Sequence, residues 1–113
     1  MDKRTIDKAM KDLSMGAKEV YGNKLREVIL FGSCARDDFD DESDIDVMIL
    51  LNVDKFEVAN EREKIRAVIH RLDRQYEYEL LFSTIVQSGP EFDYWLETLP
   101  FYKNIKKEGI RYA

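Results

Sequence analysis

Two apolar runs, Leu25–Phe31 (LREVILF) and Asp44–Leu51 (DIDVMILL), follow one another without a long helix between them. Both have the length and composition of strands. The first is closed by Gly32; the second is polar at its start and apolar at its end. Between them, Ser33–Arg36 has room for one helical turn, and Asp37–Ser43 (DDFDDES) is too acidic for either regular element and reads as an exposed loop. Consecutive strands of this kind point to a mixed sheet with helices packed on it, an α/β or α+β sandwich.

The rest of the chain supplies the helices. Ile6, Ala9, Met10, Leu13, Ala17 and Val20 recur at helical spacing, which predicts an amphipathic helix over residues 2–20, ended by Tyr21-Gly22-Asn23. Residues 54–74 carry Phe56, Val58, Ile65, Val68, Ile69 and Leu72 among charges, which predicts a second long helix. Tyr76–Val86 (YEYELLFSTIV) reads as a third strand, Pro90 as the first residue of a helix running to about Thr98, and Phe101–Glu108 as a short helix stopped by Gly109. The expected order is α-β-β-α-β-α-α, with about three strands in a small mixed sheet. Three strands cannot hide two broad apolar faces, so the helices are expected mainly on one face.

A chain of 113 residues has room for one domain, residues 1–113, with one hydrophobic core. No apolar run approaches the ~20 residues of a membrane helix, and the opening MDKRTIDKAMKDL lacks the apolar core of a secretory signal. Cys34 is the only cysteine, which excludes an internal disulfide and fits a reducing cytoplasm. The net charge of −5, without a basic tail or a Lys/Arg cluster, disfavours nucleic acid as the main partner. An acidic chain accommodates a nucleotide only if metal ions and a backbone cradle offset the repulsion.

The chemistry sits in VILFGSCARDDFDDESDIDVMILL: Gly32-Ser33, ten residues, then Asp44-Ile45-Asp46, with a strand on either side. A glycine at the end of a strand lets the backbone approach a phosphate closely. Ser33 adds a hydroxyl and a backbone N–H at the start of a helical turn, a natural anion site. Asp44 and Asp46 are two apart on a strand, so their side chains share a face. Paired carboxylates beside a triphosphate cradle are hard oxygen ligands for Mg²⁺, completed by phosphate oxygens and water. A metal pair in such a place stabilises the attacking and leaving oxygens of an in-line phosphoryl or nucleotidyl transfer. From this chain's own composition, the four residues at this spacing arise by chance on the order of once per 10³ chains. The plain alternative is a strand–turn–strand whose acids solvate an exposed turn.

This stretch resembles the GS-x10-D-x-D signature of the DNA polymerase β-like nucleotidyltransferase superfamily. The short chain and its Gly32-Ser33-Cys34-Ala35-Arg36 sequence resemble the minimal nucleotidyltransferase branch, the partner of HEPN proteins in prokaryotic two-gene modules. Resemblance runs from Leu25 to about Val86 and is sharp only over Gly32–Asp46. It implies that Gly32 and Ser33 bind the triphosphate of ATP and that Asp44 and Asp46 ligate magnesium, with two ions at the site. It also implies an antitoxin that transfers AMP to a tyrosine of a HEPN toxin. Such enzymes carry a third carboxylate on a later strand, as metal ligand or base. Here Glu77 and Glu79 share a face of the third expected strand; Glu79, followed by apolar residues, fits the family pattern better, although Asp is commoner there.

Arg36 is placed to neutralise phosphate or to brace the acidic loop. Cys34 reads as small filler, and His70, on a helix amid Arg and Asp, as part of a solvated face. Asp37–Glu42 lacks a glycine-centred calcium-loop pattern. Phe92, Tyr94, Trp95, Phe101 and Tyr102 read as core and cap packing. Three functions compete: a Mg-dependent nucleotidyltransferase placing AMP on a protein hydroxyl, a non-catalytic antitoxin acting by contact, and a nucleotidyltransferase for a small molecule such as an aminoglycoside. Length disfavours the third, because the motif and its sheet leave no second domain to shape an acceptor pocket. A partner protein or a second copy completes such a site better.

Overall fold

The computed structural model describes residues 1–113. Helix α1 spans Lys3–Tyr21, β1 Leu25–Phe31, α2 Ser33–Arg36, β2 Ile45–Leu51, α3 Val58–Glu61, α4 Arg66–Gln75, β3 Phe82–Ser88, α5 Gly89–Leu96, α6 Pro100–Glu108 and β4 Ile110–Arg111. The sheet order is β3-β2-β1-β4, with β1 antiparallel to β2 and β4, and β2 parallel to β3. The mixed sheet is that expected, with one strand more, and the helices follow the expected order except that residues 54–74 hold two. Strand β4 has two residues, too few to show any periodicity.

Alternation along the strands sorts the core into two layers. Val28 and Leu30 of β1 pair with Ile49 and Val47 of β2 on one face, and with α1 and α4 they build the larger cluster of 21 buried residues. Helix α1 contributes Ile6, Ala9, Met10, Leu13 and Ala17, all at three- and four-residue spacing. Its N-terminus is capped by Asp2, whose carboxylate accepts the Thr5 N–H at 2.8 Å. Gly16 gives α4 its closest approach, since a Cβ there would sit 2.4 Å from Val68 Cγ1. On the other face Ile29, Met48 and Leu50 meet Phe92 of α5 and Ile105 of α6 in a cluster of five. Most of the helical packing therefore lies on one face, and α5 and α6 cover part of the second.

Two segments depart from the periodicity. Residues 54–74 do not form one long helix: a 3-10 segment at Arg62–Ile65 separates α3 from α4. The break surrounds Glu61, a buried carboxylate that Lys24 and Lys64 each reach at 2.7 Å. The third strand begins at Phe82, not at Tyr76. Glu77 and Tyr78 adopt left-handed φ values of 55° and 59°, and the N–H groups of Glu77, Tyr78 and Glu79 bond back to the carbonyls of Arg74, Asp73 and Tyr76. Backbone donors used up in that turn cannot pair with β2.

Arg26 of β1 anchors α5 through a two-pronged pair with Asp93, at 2.9 and 2.8 Å. Both side chains are partly exposed, so Arg26→Ala is expected to cost about 1 kcal/mol or less in urea unfolding at neutral pH. The Arg26 hydrogen bonds hold the Asp93 carboxyl below its ordinary value of 3.8. The pair's contribution is thus present above that value and lost as pH falls through the lowered one. Wild type and variant should converge in acid, and a gap that stays constant with pH would show that packing, not charge, is what Arg26 provides.

Candidate active site

Gly32 ends β1 with φ 74° and ψ −156°, a conformation open to glycine and strained for other residues. The reason is steric as well as torsional: a Cβ at Gly32 would lie 2.4 Å from Asp46 Oδ2. The backbone of residue 32 is packed directly against the second aspartate. From Gly32 the chain enters α2, where the N–H groups of Ala35 and Arg36 both bond the Gly32 carbonyl at 3.1 Å. No side chain caps this turn, so the N–H groups of Ser33 and Cys34 have no partner within the helix by the geometry of a helix start. Asp37, with φ 64°, closes the turn and releases the acidic loop.

Cys34 carries more than filler volume. Buried under α2, its thiol lies 3.5 Å from the carbonyl of Asp44, tying the turn to the start of β2 and holding Ser33 near the aspartates. Burial first, and then the Asp46 charge, push the thiol above its ordinary value, so it stays protonated and unreactive. Sequence alone offered no signal for this tie, because a lone small residue has no pattern.

Asp46 is half-buried in β2, opposite Phe31 of β1, and Asp44 is exposed one residue before the strand. Burial and then the Asp44 charge push the Asp46 carboxyl above the ordinary Asp range, with Arg36 pulling the other way. Neither carboxylate forms an ion pair. Arg36 instead reaches Asp38 at 3.3 Å and Glu108 of α6 at 3.6 Å. Two adjacent carboxylates, mutually repelling and without a cation of their own, fit a divalent ion with hard oxygen ligands. Gly32, Ser33, Arg36, Asp44 and Asp46 are thus gathered at one end of the sheet.

Glu79 is not gathered with them. It is exposed in the turn before β3 and borders a hollow with Met1, Asp2, Thr5 and Tyr76, beside the start of α1. Nowhere are three His, Cys, Asp or Glu side chains grouped to hold an ion. The expectation that Glu77 and Glu79 share a strand face toward the aspartates fails with the strand itself, for the backbone reason given above.

Helix α6 forms a wall the motif did not reveal. A cleft of about 240 Å³ lies between Phe31, Gly32 and Arg36 on one side and Phe101, Asn104, Ile105 and Glu108 on the other. Phe101 packs edge-on against Phe31 at 5.9 Å. That volume falls below the roughly 300–1,000 Å³ of pockets that enclose a whole small ligand, and the lining takes in Gly32 and Arg36 but not Ser33, Asp44 or Asp46.

A glycine-backed backbone turn, an unpaired Asp-x-Asp on the adjoining strand and a mixed sheet define the nucleotidyltransferase class. The nucleotidyltransferase domain family matches residues 10–112, and the chain belongs to that family. Two curated relatives come from Methanocaldococcus jannaschii. "Putative protein adenylyltransferase MJ0141" is 37% identical over 81 residues, spanning 72% of this chain and 78% of the relative. "Putative protein adenylyltransferase MJ0604" is 31% identical over 103 residues, spanning 91% and 93%. In fold, the chain resembles the "putative nucleotidyltransferase from Sulfolobus solfataricus" known from a crystal structure, with a TM-score of 0.57 and 22% identity over 96% of this chain and 80% of that one. No helix is long and apolar enough to cross a membrane.

Proposed function

We propose that this nucleotidyltransferase moves AMP from ATP to a hydroxyl of a protein, a tyrosine of a helical HEPN-type partner, and so acts as a cytoplasmic antitoxin. The observation that carries the reading is the pair Asp44 and Asp46, unpaired with any cation and packed against a residue that only glycine can occupy. The two relatives named as protein adenylyltransferases support a protein acceptor. The open cleft supports it too, since a bulky acceptor needs access from one side.

In this reading the N–H groups of Ser33 and Cys34 and the Ser33 hydroxyl receive phosphate oxygens, and Arg36 adds positive charge at the cleft mouth. Asp44 and Asp46 hold Mg²⁺, which when bound supplies the charge that offsets triphosphate and carboxylate repulsion. The acceptor hydroxyl oxygen bonds to the α-phosphorus and gives up its proton to solvent, the bond from that phosphorus to the bridging oxygen breaks, and pyrophosphate leaves. Rate gain comes from positioning and charge neutralisation, not from covalent chemistry on this chain.

Intact mass spectrometry of a co-expressed helical partner tests the proposal. The expected result is the mass of one or more adenylyl groups on the partner, dependent on ATP and abolished by EDTA. A partner neutralised without added mass would instead establish the contact antitoxin, for which the displacement of Glu79 from the aspartates is the supporting observation.

A further inference from the structure

We infer that this site holds a single divalent ion, carried with the triphosphate, because Ser83 occupies the place where a carboxylate for a second ion would stand. The inference rests on the nucleotide–metal reading of Asp44 and Asp46. A pair of ions flanking an in-line displacement sits ~3.5–4 Å apart, and the second one needs further negative oxygen ligands on the acceptor side. In a sheet, positions in register with the aspartates on the neighbouring strands lie ~4.8 Å away, close enough to supply such ligands.

Both neighbours of Asp46 are known from the ladder. On β1 it is opposed by Phe31, and on β3 by Ser83. Paired residues of adjacent strands project to the same face, so Phe31, Asp46 and Ser83 form one row across the sheet. Phe31 offers no ligand, and Ser83 offers a neutral hydroxyl that adds no charge against a second dication. One step toward the strand start, the Leu81 carbonyl is taken by the Ile45 N–H at 2.8 Å, and the Leu81 side chain is exposed and apolar. Glu77 and Glu79 precede β3 and are turned back toward α4. The chain thus provides for the ion that accompanies the nucleotide and leaves activation of the acceptor hydroxyl to the acceptor's own groups.

Equilibrium dialysis of the full chain against Mn²⁺ and the ATP analogue with a methylene bridge between the α- and β-phosphorus tests this. Manganese and nucleotide retained per chain are counted separately. The expected result is equal retention of the two in the wild type. Ser83→Asp is expected to retain twice as much manganese as nucleotide. Two ions per nucleotide in the wild type would overturn the inference. So would a Ser83→Asp protein that is folded by circular dichroism yet gains no ion, with Ser83→Glu serving if Ser83→Asp does not fold. Retention of nucleotide without manganese, or of neither, would instead overturn the metal reading of Asp44 and Asp46 on which the inference depends.

Discussion

Replacing Asp44 and Asp46 together by asparagine is expected to lower adenylyl transfer by about 10²–10³-fold or more, the scale of losing a preorganised charge-stabilising group, while the fold survives and its Tm holds or rises. Stability does not depend on these carboxylates, because neither is paired with a cation, and Arg36 is engaged by Asp38 and Glu108. Ionised Asp46 is in fact a liability. Its carboxyl is pushed above the ordinary value of 3.8 by burial and by Asp44. A raised carboxyl value means that the folded state binds the proton more tightly than the unfolded chain does. Stability from this group is therefore greatest below 3.8 and declines as pH rises through the raised value. Asp46→Asn should remove that pH-dependent increment. Thermal melts of wild type and variant from neutral pH into acid, run beside transfer assays, read both effects. A double variant that unfolds at neutral pH would instead assign these acids to capping the turn.

The second large effect is expected at Gly32. With φ 74° and ψ −156°, an alanine there carries backbone strain of about 1–3 kcal/mol. Its Cβ would also meet Asp46 Oδ2 at 2.4 Å, so the carboxylate must move or the turn must open. For a domain of this size, each kcal/mol corresponds to roughly 4–8 °C in Tm. Gly32→Ala should thus melt visibly lower, and it should lose on the order of 10²-fold in transfer, the cost attached to ångström-scale misplacement of a reacting constellation. Here the two variants should separate cleanly: losing the aspartates is expected to remove activity without stability, and filling Gly32 to remove both. Calorimetry with transfer kinetics is the measurement, and an alanine variant that keeps its Tm and its activity would show that the close approach is not needed.

Much of this protein was legible in residue order alone. The helical spacing of Ile6, Ala9, Met10, Leu13 and Ala17 announced α1. The β-branched runs either side of Gly32 announced β1 and β2 nearly to the residue, with β2 starting at Ile45 one position late. Such signals survive because they are local: periodicity, a glycine at a strand end and a two-residue spacing of carboxylates need no distant partner. Helix-length periodicity was misleading over residues 54–74, where a 3-10 segment next to the buried, lysine-paired Glu61 separates two helices.

What the amino-acid sequence determined was the class of chemistry: a glycine-serine turn and an Asp-x-Asp pair, at a spacing that only a strand–turn–strand can bring together. Tertiary structure decided how complete that site is. Apolar–acid–apolar lettering around Glu79 looked like strand, yet the left-handed turn at Glu77 and Tyr78 spends those backbone donors on the end of α4. Pairing with β2 begins only at Phe82, and the residue beside Asp46 becomes Ser83. Likewise the α6 wall, the Arg36–Glu108 contact and the Cys34 tie join residues distant in the chain or without any periodic signature. Register and long-range contact are properties of the packed sheet, because a shift of one residue exchanges the faces of a strand and no local pattern records which register the core selects.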